Sequence, residues 1–377
     1  MLQIAAALLF LFQPPGAPQQ PGGGRGPQPP SKQTPMDIRE YEPRSTLVTA
    51  QHPIKQSKYP FIDVHHHPQV RTAADVDQLV KDMDGINLRI LVNLSGGSGD
   101  RLKNIVQLLT SRYPDRFVVF ANWNYEGIDS PDYGHKTAER LADDVRNGAK
   151  GLKIFKQFGM DAKDGKGNRI HVDDPRFDET FELCGKLKIP VLIHTAEPIS
   201  FFDPVDKHNE RFRELQEFPG RARPEDKYPS WQTLMDEQHR MFARHPNTMF
   251  IDAHLGWLGN NLAELGKLLD RLPNVYTELG AVIYELGRQP RAAREFMIKY
   301  QDRVLMGKDA WQPRDPNEYW CYFRVLESPD EYFDYYRPRH AFWKMYGLDL
   351  PDEVLKKVYY KNALKLIPGL NASAFPK

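Results

Sequence analysis

The 377-residue sequence contains only two cysteines, Cys184 and Cys321, and it carries almost no excess charge, with a formal net charge of +1. Two cysteines are too few for a disulfide scaffold or for a zinc site built from cysteine ligands. The balanced charge gives no reason to expect a polyanion or an anionic membrane surface as a partner. No basic patch typical of nucleic-acid-binding proteins is present, so we expect no nucleic-acid partner.

Long apolar runs are also missing. The longest one, residues 4–12, has nine residues, which is too short to span a bilayer. It resembles the apolar core of a secretory signal. Residues 13–35 are rich in Pro, Gly and Gln, a composition typical of a disordered tether. We therefore expect residues 1–35 to stay outside the fold and the protein to be exported, periplasmic or secreted. The alternative is a cytoplasmic protein with an apolar N-terminus.

Two common catalytic or cofactor motifs are absent as well. The sequence has no Gly-x-Ser-x-Gly motif, which argues against a serine acyl-enzyme of the α/β-hydrolase kind. No Gly-x-Gly-x-x-Gly follows an early predicted strand, which argues against a dinucleotide-binding open sheet. A doubly wound open sheet remains the alternative fold.

Residues 59–370 show a regular alternation of short apolar segments and amphipathic helical segments, after an irregular lead-in over residues 36–58. Such alternation predicts parallel β/α units. Eight segments are typical of strands: 61–66, 88–94, 117–121, 151–155, 190–194, 249–254, 275–279 and 303–307. Eight units predict a (β/α)8 barrel, the TIM barrel, with long loops at 196–230 and 310–330, after strands 5 and 8.

The first predicted strand ends in three consecutive histidines, residues 65–67. Because side chains alternate along a strand, Asp63, His65 and His67 share one face and His66 lies on the other. Two imidazoles on one face at a strand end can bind one metal ion.

Four further polar residues lie at the carboxyl ends of later predicted strands: Lys153, His194, His254 and Asp309. In a TIM barrel these ends meet at one mouth, where active sites lie. A single histidine there is most often structural, but buried polar groups need partners, and one central cation would satisfy the whole set. The constellation therefore predicts a divalent metal site, with one Zn²⁺ as the expected ion.

The chain resembles the amidohydrolase superfamily in its amidohydrolase-related branch. The resemblance rests on Asp-Val-His-His-His at 63–67, Ile-His-Thr at 193–195, Ala-His-Leu-Gly at 253–256, Gly-Lys-Asp at 307–309 and the closing stretch 358–368. That branch includes metal-dependent hydrolases and nonoxidative decarboxylases of the aminocarboxymuconate-semialdehyde type.

The resemblance implies a role for each matching residue. His65, His67 and His194 would bind the metal, and Asp309 would complete the ligand set and contact the bound water. His254 would polarise the substrate or bind a second metal. Lys153 occupies the position of the carboxylated, bridging lysine of two-metal members. The branch usually works with one metal, which we favour here.

The leading functional prediction is metal-assisted hydrolysis of an ester, lactone or amide of a small organic molecule. Asp309 would transfer the proton, and His254 or Lys153 would stabilise the oxyanion. An anionic group of the substrate could contact Lys153, Lys308 or Arg314. The alternatives are a metal-dependent decarboxylase of aromatic or muconate-type acids and a non-catalytic exported binding protein. A homo-oligomer is left open.

Overall fold

The computed structural model describes residues 35–37, 40–311 and 317–376. The signal-like run, most of the predicted tether and Arg314 lie outside the described residues. The chain divides into two compact units, residues 1–46 and 47–377. The described residues of the first unit contain no strand and no α-helix. Within the second unit, residues 47–58 have irregular backbone up to the first strand.

The described residues of the second unit contain nine short parallel strands, which form its centre: β1 Phe61–His66, β2 Leu88–Asn93, β3 Phe117–Val119, β4 Ala121–Asn122, β5 Leu152–Ile154, β6 Val191–Ile193, β7 Phe250–Asp252, β8 Val275–Glu278 and β9 Val304–Leu305. They form two parallel sheets, one in the order β1-β2-β3 and one in the order β4 to β9, and within each sheet neighbouring strands are consecutive along the chain. The predicted third strand, residues 117–121, covers both β3 and β4. Between them, Phe120 N–H donates to Asn93 O, whereas Ala121 N–H donates to Gly151 O, so the two sheets continue into each other.

The last strand returns to the first. Val64 N–H donates to Met306 O at 3.0 Å, and His67 N–H donates to Ala310 O at 2.8 Å. Asp309 N–H also donates to His65 O at 2.7 Å. These bonds join the two edges of the sheet, so the strands enclose a barrel with no open edge between β1 and β9. The (β/α)8 prediction is confirmed.

Helices surround this barrel: α1 Ala73–Gly85, α2 Asp100–Thr110, α3 Tyr133–Arg146, α4 Gln157–Met160, α5 Asp178–Leu187, α6 Phe212–Glu217, α7 Trp231–Arg244, α8 Leu262–Arg271, α9 Ile283–Gly287, α10 Pro290–Lys299, α11 Asn317–Glu327, α12 Asp352–Lys356 and α13 Asn362–Leu366. Along the described part of the chain, none is both long and apolar enough to cross a bilayer.

The two long connections contain helices of their own. Residues 196–230 include α6, and the connection after β9 includes α11. The latter follows from the sequence: Tyr319, Tyr322, Phe323 and Leu326 recur at helical spacing, and all four are buried. They pack α11 against the first strand, where the Phe61 and Phe323 ring centroids are 5.5 Å apart.

α11 also holds the first strand by a polar contact. The Tyr319 hydroxyl donates to Asp63 Oδ2 at 2.6 Å, and Asp63 Oδ1 accepts from the backbone N–H groups of His65 and Lys308 at 3.0 and 3.1 Å. Asp63 is fully buried. It therefore fixes the ends of β1 and β9 relative to each other, directly beneath the histidines.

Candidate metal centre

The structure brings all six predicted site residues to one mouth of the barrel. His65 is in β1 and Lys153 in β5. His67, His194, His254 and Asp309 follow the ends of β1, β6, β7 and β9 by one to four residues. This placement explains the convergence, because the carboxyl ends of parallel barrel strands share one face.

Three of these residues, His65, His254 and Asp309, have ligand atoms that all lie within 4.8 Å of one another. His65 Nε2 and His67 Nε2 are each 3.5 Å from Asp309 Oδ1. His254 is therefore as central as the two histidines of the first strand. The resemblance implied a different role for His254, which was to polarise the substrate or to bind a second metal ion.

His194 joins the group through His254. The ring nitrogens His254 Nε2 and His194 Nδ1 are 3.1 Å apart. His254 Nδ1–H donates to Gly280 O at 2.7 Å, and His194 Nε2–H donates to Ala196 O at 3.1 Å. Since a neutral imidazole has only one N–H, the two facing nitrogens both carry lone pairs. A cation between or beside them would satisfy both.

Burial keeps these imidazoles neutral. It lowers the pKa of His194 to about 4, and burial together with His194 lowers the pKa of His254 to about 4. Burial and His65 lower the pKa of His67 to about 2. The pKa of His65 lies well below its usual value because of burial and the neighbouring Lys153. Neutral imidazole is the form that binds metals.

Lys153 and Asp309 supply opposite charges to the same space. Lys153 is 1% exposed, and its Nζ is 3.4 Å from His65 Nε2. Burial lowers the pKa of Lys153 to about 8. Burial opposes ionisation of Asp309, but its interactions with the rings of His65, His254 and His67 and with the cationic Lys153 outweigh burial and hold the pKa of Asp309 well below its usual range. The group therefore contains one carboxylate at neutral pH.

The backbone at this mouth is strained. Ala196, His254 and Asp309 have φ values of 60°, 61° and 59°, in the left-handed region that non-glycine residues rarely adopt. Each such residue costs about 1–3 kcal/mol and persists only where the surrounding structure imposes it, most often at functional sites. Two of the three are predicted site residues, and the third follows His194 by two positions.

Glu278 is a site residue that the sequence analysis missed. Its Oε1 accepts from His65 Nδ1–H at 2.9 Å and from the His254 backbone N–H at 2.8 Å, and Oε2 accepts from Gly280 N–H at 2.5 Å. The carboxylate thereby holds the His65 tautomer that leaves Nε2 free for a ligand. The signal was available, because Glu278 ends β8 as the other site residues end their strands.

A second carboxylate, Glu197, follows His194 in the long connection after β6. Its Oε2 is 3.8 Å from His194 Nε2, and its Oε1 pairs with Lys156 Nζ and, at 3.0 Å, with an Arg223 guanidinium nitrogen. Burial would raise the pKa of Glu197, but His194 and Lys156 hold it at about 2. The position of Glu197 could not be predicted from a spacing pattern in the sequence, because the residue belongs to an irregular segment.

Two neighbours of the predicted ligands point elsewhere. The Lys308 ammonium is fully buried against Glu318 of α11, so it does not face the mouth and cannot contact a substrate there. His66 is buried, and its Nδ1 has no hydrogen-bond partner among the described residues. Its place on the opposite face of β1 from His65 agrees with the alternation of the strand.

Two indole rings flank the imidazoles. Trp257 stacks on His254 with a centroid distance of 4.6 Å. Trp311 stacks on His67 at 4.1 Å, and its Nε1–H donates to Asp309 Oδ1 at 3.1 Å. These rings exclude water from one side of the site and leave the carboxylate at its outer edge, where Asp309 keeps 21% of its side-chain surface exposed.

The donor set fits a divalent cation. It combines neutral imidazole nitrogens, one carboxylate and a partner, Glu278, that orients the ring of His65. The facing lone pairs of His254 and His194 give an independent reason to place a cation here.

Comparison with known proteins identifies the family of the chain. The sequence model of the family described as amidohydrolase matches residues 62–369, and the chain belongs to that family. It is therefore an enzyme of a metal-dependent class. No curated protein sequence matches the chain.

Among solved structures, the chain is similar to a dihydroxybenzoic acid decarboxylase from Polaromonas with bound manganese and the inhibitor 2-nitroresorcinol. The identity is 14%, the TM-score is 0.52, and the match covers 84% of this chain and 99% of that one. It is also similar to 2,6-dihydroxybenzoate decarboxylase from Rhizobium, with 15% identity, a TM-score of 0.50 and coverage of 82% and 98%. At these identities the likeness shows the shared fold.

Proposed function

We propose that the protein is a hydrolase that uses a divalent metal, with Zn²⁺ as the ion, to cleave an ester, lactone or amide of a small organic substrate. The observation that carries the proposal is the convergence of one carboxylate, Asp309, with neutral imidazoles, among which His254 and His194 turn unprotonated ring nitrogens toward each other. His65, His254 and Asp309 would hold the ion, with His67 and His194 beside them. A divalent ion in such a site acts as a Lewis acid and lowers the pKa of water toward 7.

The side chains around the ion supply proton transfer, oxyanion stabilisation and exclusion of water. Asp309 is ionised and partly exposed, so it accepts the proton of the attacking water and passes it to the leaving group. Lys153 places a positive charge beside His65, where it stabilises the oxyanion that develops on the substrate. Trp257 and Trp311 cover the imidazoles, which strengthens these electrostatic interactions by excluding water.

Replacement of Asp309 tests the proposal. Asp309→Asn keeps the shape and an oxygen for the ion but cannot accept a proton. We expect kcat for aryl esters and lactones to fall about 10²–10⁴-fold, the usual contribution of general acid–base catalysis, with metal content retained. Lys344→Asn, at a partly exposed site in a surface ion pair with Asp334, serves as the control. Full activity of Asp309→Asn would disprove the mechanism.

Nonoxidative decarboxylation on the same metal platform is the second candidate. The observation in its favour is Lys153, a buried ammonium beside His65 that suits the carboxylate of an acid substrate. Purified protein should be assayed for carbon dioxide release from dihydroxybenzoates and, in parallel, for acid release from esters and lactones. Carbon dioxide release without hydrolysis would replace the first proposal with the second.

We also propose that the protein is exported, on the basis of the apolar run at residues 4–12. Cell fractionation followed by mass spectrometry of the N-terminus tests this. Recovery of protein that keeps residues 4–12 from the cytoplasm alone would contradict it.

A further inference from the structure

A cavity of about 750 Å³ adjoins the candidate metal centre. Its walls come from the segment that follows β1 and from the first three turns of α2. A cavity of this size can hold a small organic molecule. It is separate from the imidazole cluster but borders it on one side.

Two residues belong to both the cavity and the metal centre. His67 and Trp311 line the cavity. His67 Nε2 is 3.5 Å from Asp309 Oδ1, and Trp311 Nε1–H donates to that same oxygen at 3.1 Å. A molecule whose reacting group lies at Asp309 can therefore extend past the His67–Trp311 pair into the cavity.

The charge of the cavity is one-sided. Among the described residues, Arg71 and Arg101 are the only lining residues that carry a full charge, and no carboxylate lines the cavity. Arg101 forms no ion pair with any residue that the structure describes. The amides of Gln69 and Asn104 add neutral hydrogen-bond donors. Guanidinium groups are well suited to carboxylates because they can donate two parallel hydrogen bonds.

Part of the wall is apolar. Val70, Ile105 and Leu108 line the cavity together with the aromatic residue Trp311. A ligand that fits both parts has a flat or aliphatic body with a carboxylate at one end. The body would contact the apolar residues and the indole, and the carboxylate would contact the guanidinium groups.

We propose that Arg71 and Arg101 form a carboxylate subsite, so that the substrate is an organic acid whose carboxylate binds in the cavity while its reacting group lies at Asp309. This inference deepens the proposed function and rests on it for the position of the reacting group. It also differs from the sequence-based prediction, which assigned an anionic group to Lys153, Lys308 or Arg314. Lys308 is excluded by its burial against Glu318.

Binding of two simple probes tests the subsite without any catalytic turnover. Benzoate has one carboxylate and isophthalate has two, so only isophthalate can engage the metal centre and the subsite together. Titration calorimetry of the metal-loaded enzyme should give isophthalate an affinity at least about tenfold above that of benzoate, the scale of one good charge-assisted contact. An equal affinity for both probes, or no binding of isophthalate at millimolar concentration, would overturn the proposal.

The double variant Arg71→Gln/Arg101→Gln assigns the effect to these residues. We expect the ratio of the two affinities to fall to about one, because a glutamine offers no charge to the second carboxylate. Arg291→Gln, an exposed arginine of α10 that does not line the cavity, should keep the wild-type ratio. A ratio that persists in the double variant would place the second carboxylate elsewhere.

Two further arms complete the design. Melting temperatures of the variants should match the wild type, since both arginines are exposed, and a large drop in the double variant would assign them a structural role instead.

Tighter binding of phenyl phosphate than of isophthalate would show that the subsite prefers a phosphate group to a carboxylate. If isophthalate binds as expected but no ester, lactone or amide is hydrolysed, the subsite stands and the proposed hydrolysis fails.

Discussion

His254 Nε2 and His194 Nδ1 face each other at 3.1 Å, although the single N–H group of each neutral ring donates to a backbone carbonyl from the other ring nitrogen. Two facing lone pairs repel unless a proton or a metal ion lies near both. Burial disfavours the proton, as the lowered pKa values of both rings show. The pair is thus arranged for a cation, and the metal-free protein should be less stable than the loaded one.

The first prediction concerns acid and metal removal. The pKa of His194 and of His254 is about 4 in the folded chain, against about 6.5 in an unfolded chain. The unfolded state therefore takes up protons first as the pH falls. The stability of the metal-free protein should be fully present above pH 6.5 and decline toward pH 4, by at most about 3 kcal/mol for one histidine.

Urea midpoints of chelator-treated protein, measured between pH 7.5 and 4.5, check this prediction. The variant His254→Gln should start out less stable and lose less stability over the same range, so the difference from the wild type should shrink on acidification. A difference that does not depend on pH would contradict the neutral state assigned to His254.

The second prediction concerns Glu278, which orients His65 and binds the His254 backbone. Burial raises the pKa of the Glu278 carboxyl group, so the prediction rests on its hydrogen bonds. Glu278→Gln keeps the volume but leaves one acceptor oxygen in place of the two that accept from His65, the His254 backbone and Gly280. We expect metal affinity to fall about 10–100-fold, as is usual for residues that orient a ligand. Glu179→Gln is the matched control, because Glu179 Oε1 contacts a histidine, His135, at an exposed surface. Competition with a fluorescent chelator measures both, and equal affinities would show that Glu278 is only structural.

The third prediction concerns Gly307, whose backbone passes close to Glu278. A Cβ atom at Gly307 would lie 2.2 Å from Glu278 Oε2 and 3.1 Å from His65 Cβ. Gly307→Ala should therefore displace the carboxylate, cost about 1–3 kcal/mol of stability as overpacking does, and weaken metal binding. Gly85→Ala, where a Cβ would meet nothing within 4 Å, should leave both properties close to wild type. Denaturant midpoints and metal titration report the two effects, and unchanged binding in Gly307→Ala would refute the close approach.

The fourth prediction concerns the number of metals. The Lys153 Nζ atom contacts the His65 ring, and burial lowers its pKa to about 8, which leaves most of it cationic at pH 7. We expect one divalent ion per chain by elemental analysis, both in the wild type and in Lys153→Met. The control is Lys150→Met, two residues before β5. Two ions per chain that drop to one or none in Lys153→Met would instead support a carboxylated, bridging lysine.

Local pattern was enough to predict the barrel and six of the residues at its mouth. The alternation of apolar strands with amphipathic helices fixed eight β/α units, because each segment must bury one face against its neighbours. The two-residue period of the first strand separated His65 and His67 from His66. The same reasoning would have found Glu278, had the end of β8 been treated like the other strand ends.

The contacts between distant segments depended on the tertiary structure. Glu197 and Arg223 meet in a long irregular connection, where no period of the sequence relates them. Lys308 adjoins Asp309 in sequence but turns to Glu318 in a helix that begins eight residues after Asp309. The cavity of Arg71 and Arg101 joins two consecutive β/α connections.

The sequence by itself thus determined which residue types lie at the mouth of the barrel, because strand and helix periods are local properties of the chain. Only the tertiary structure decided how those side chains share protons, which of them face one another and which arginines border them. Those relationships depend on distances between segments far apart in sequence, and these are set by the packing of the whole barrel.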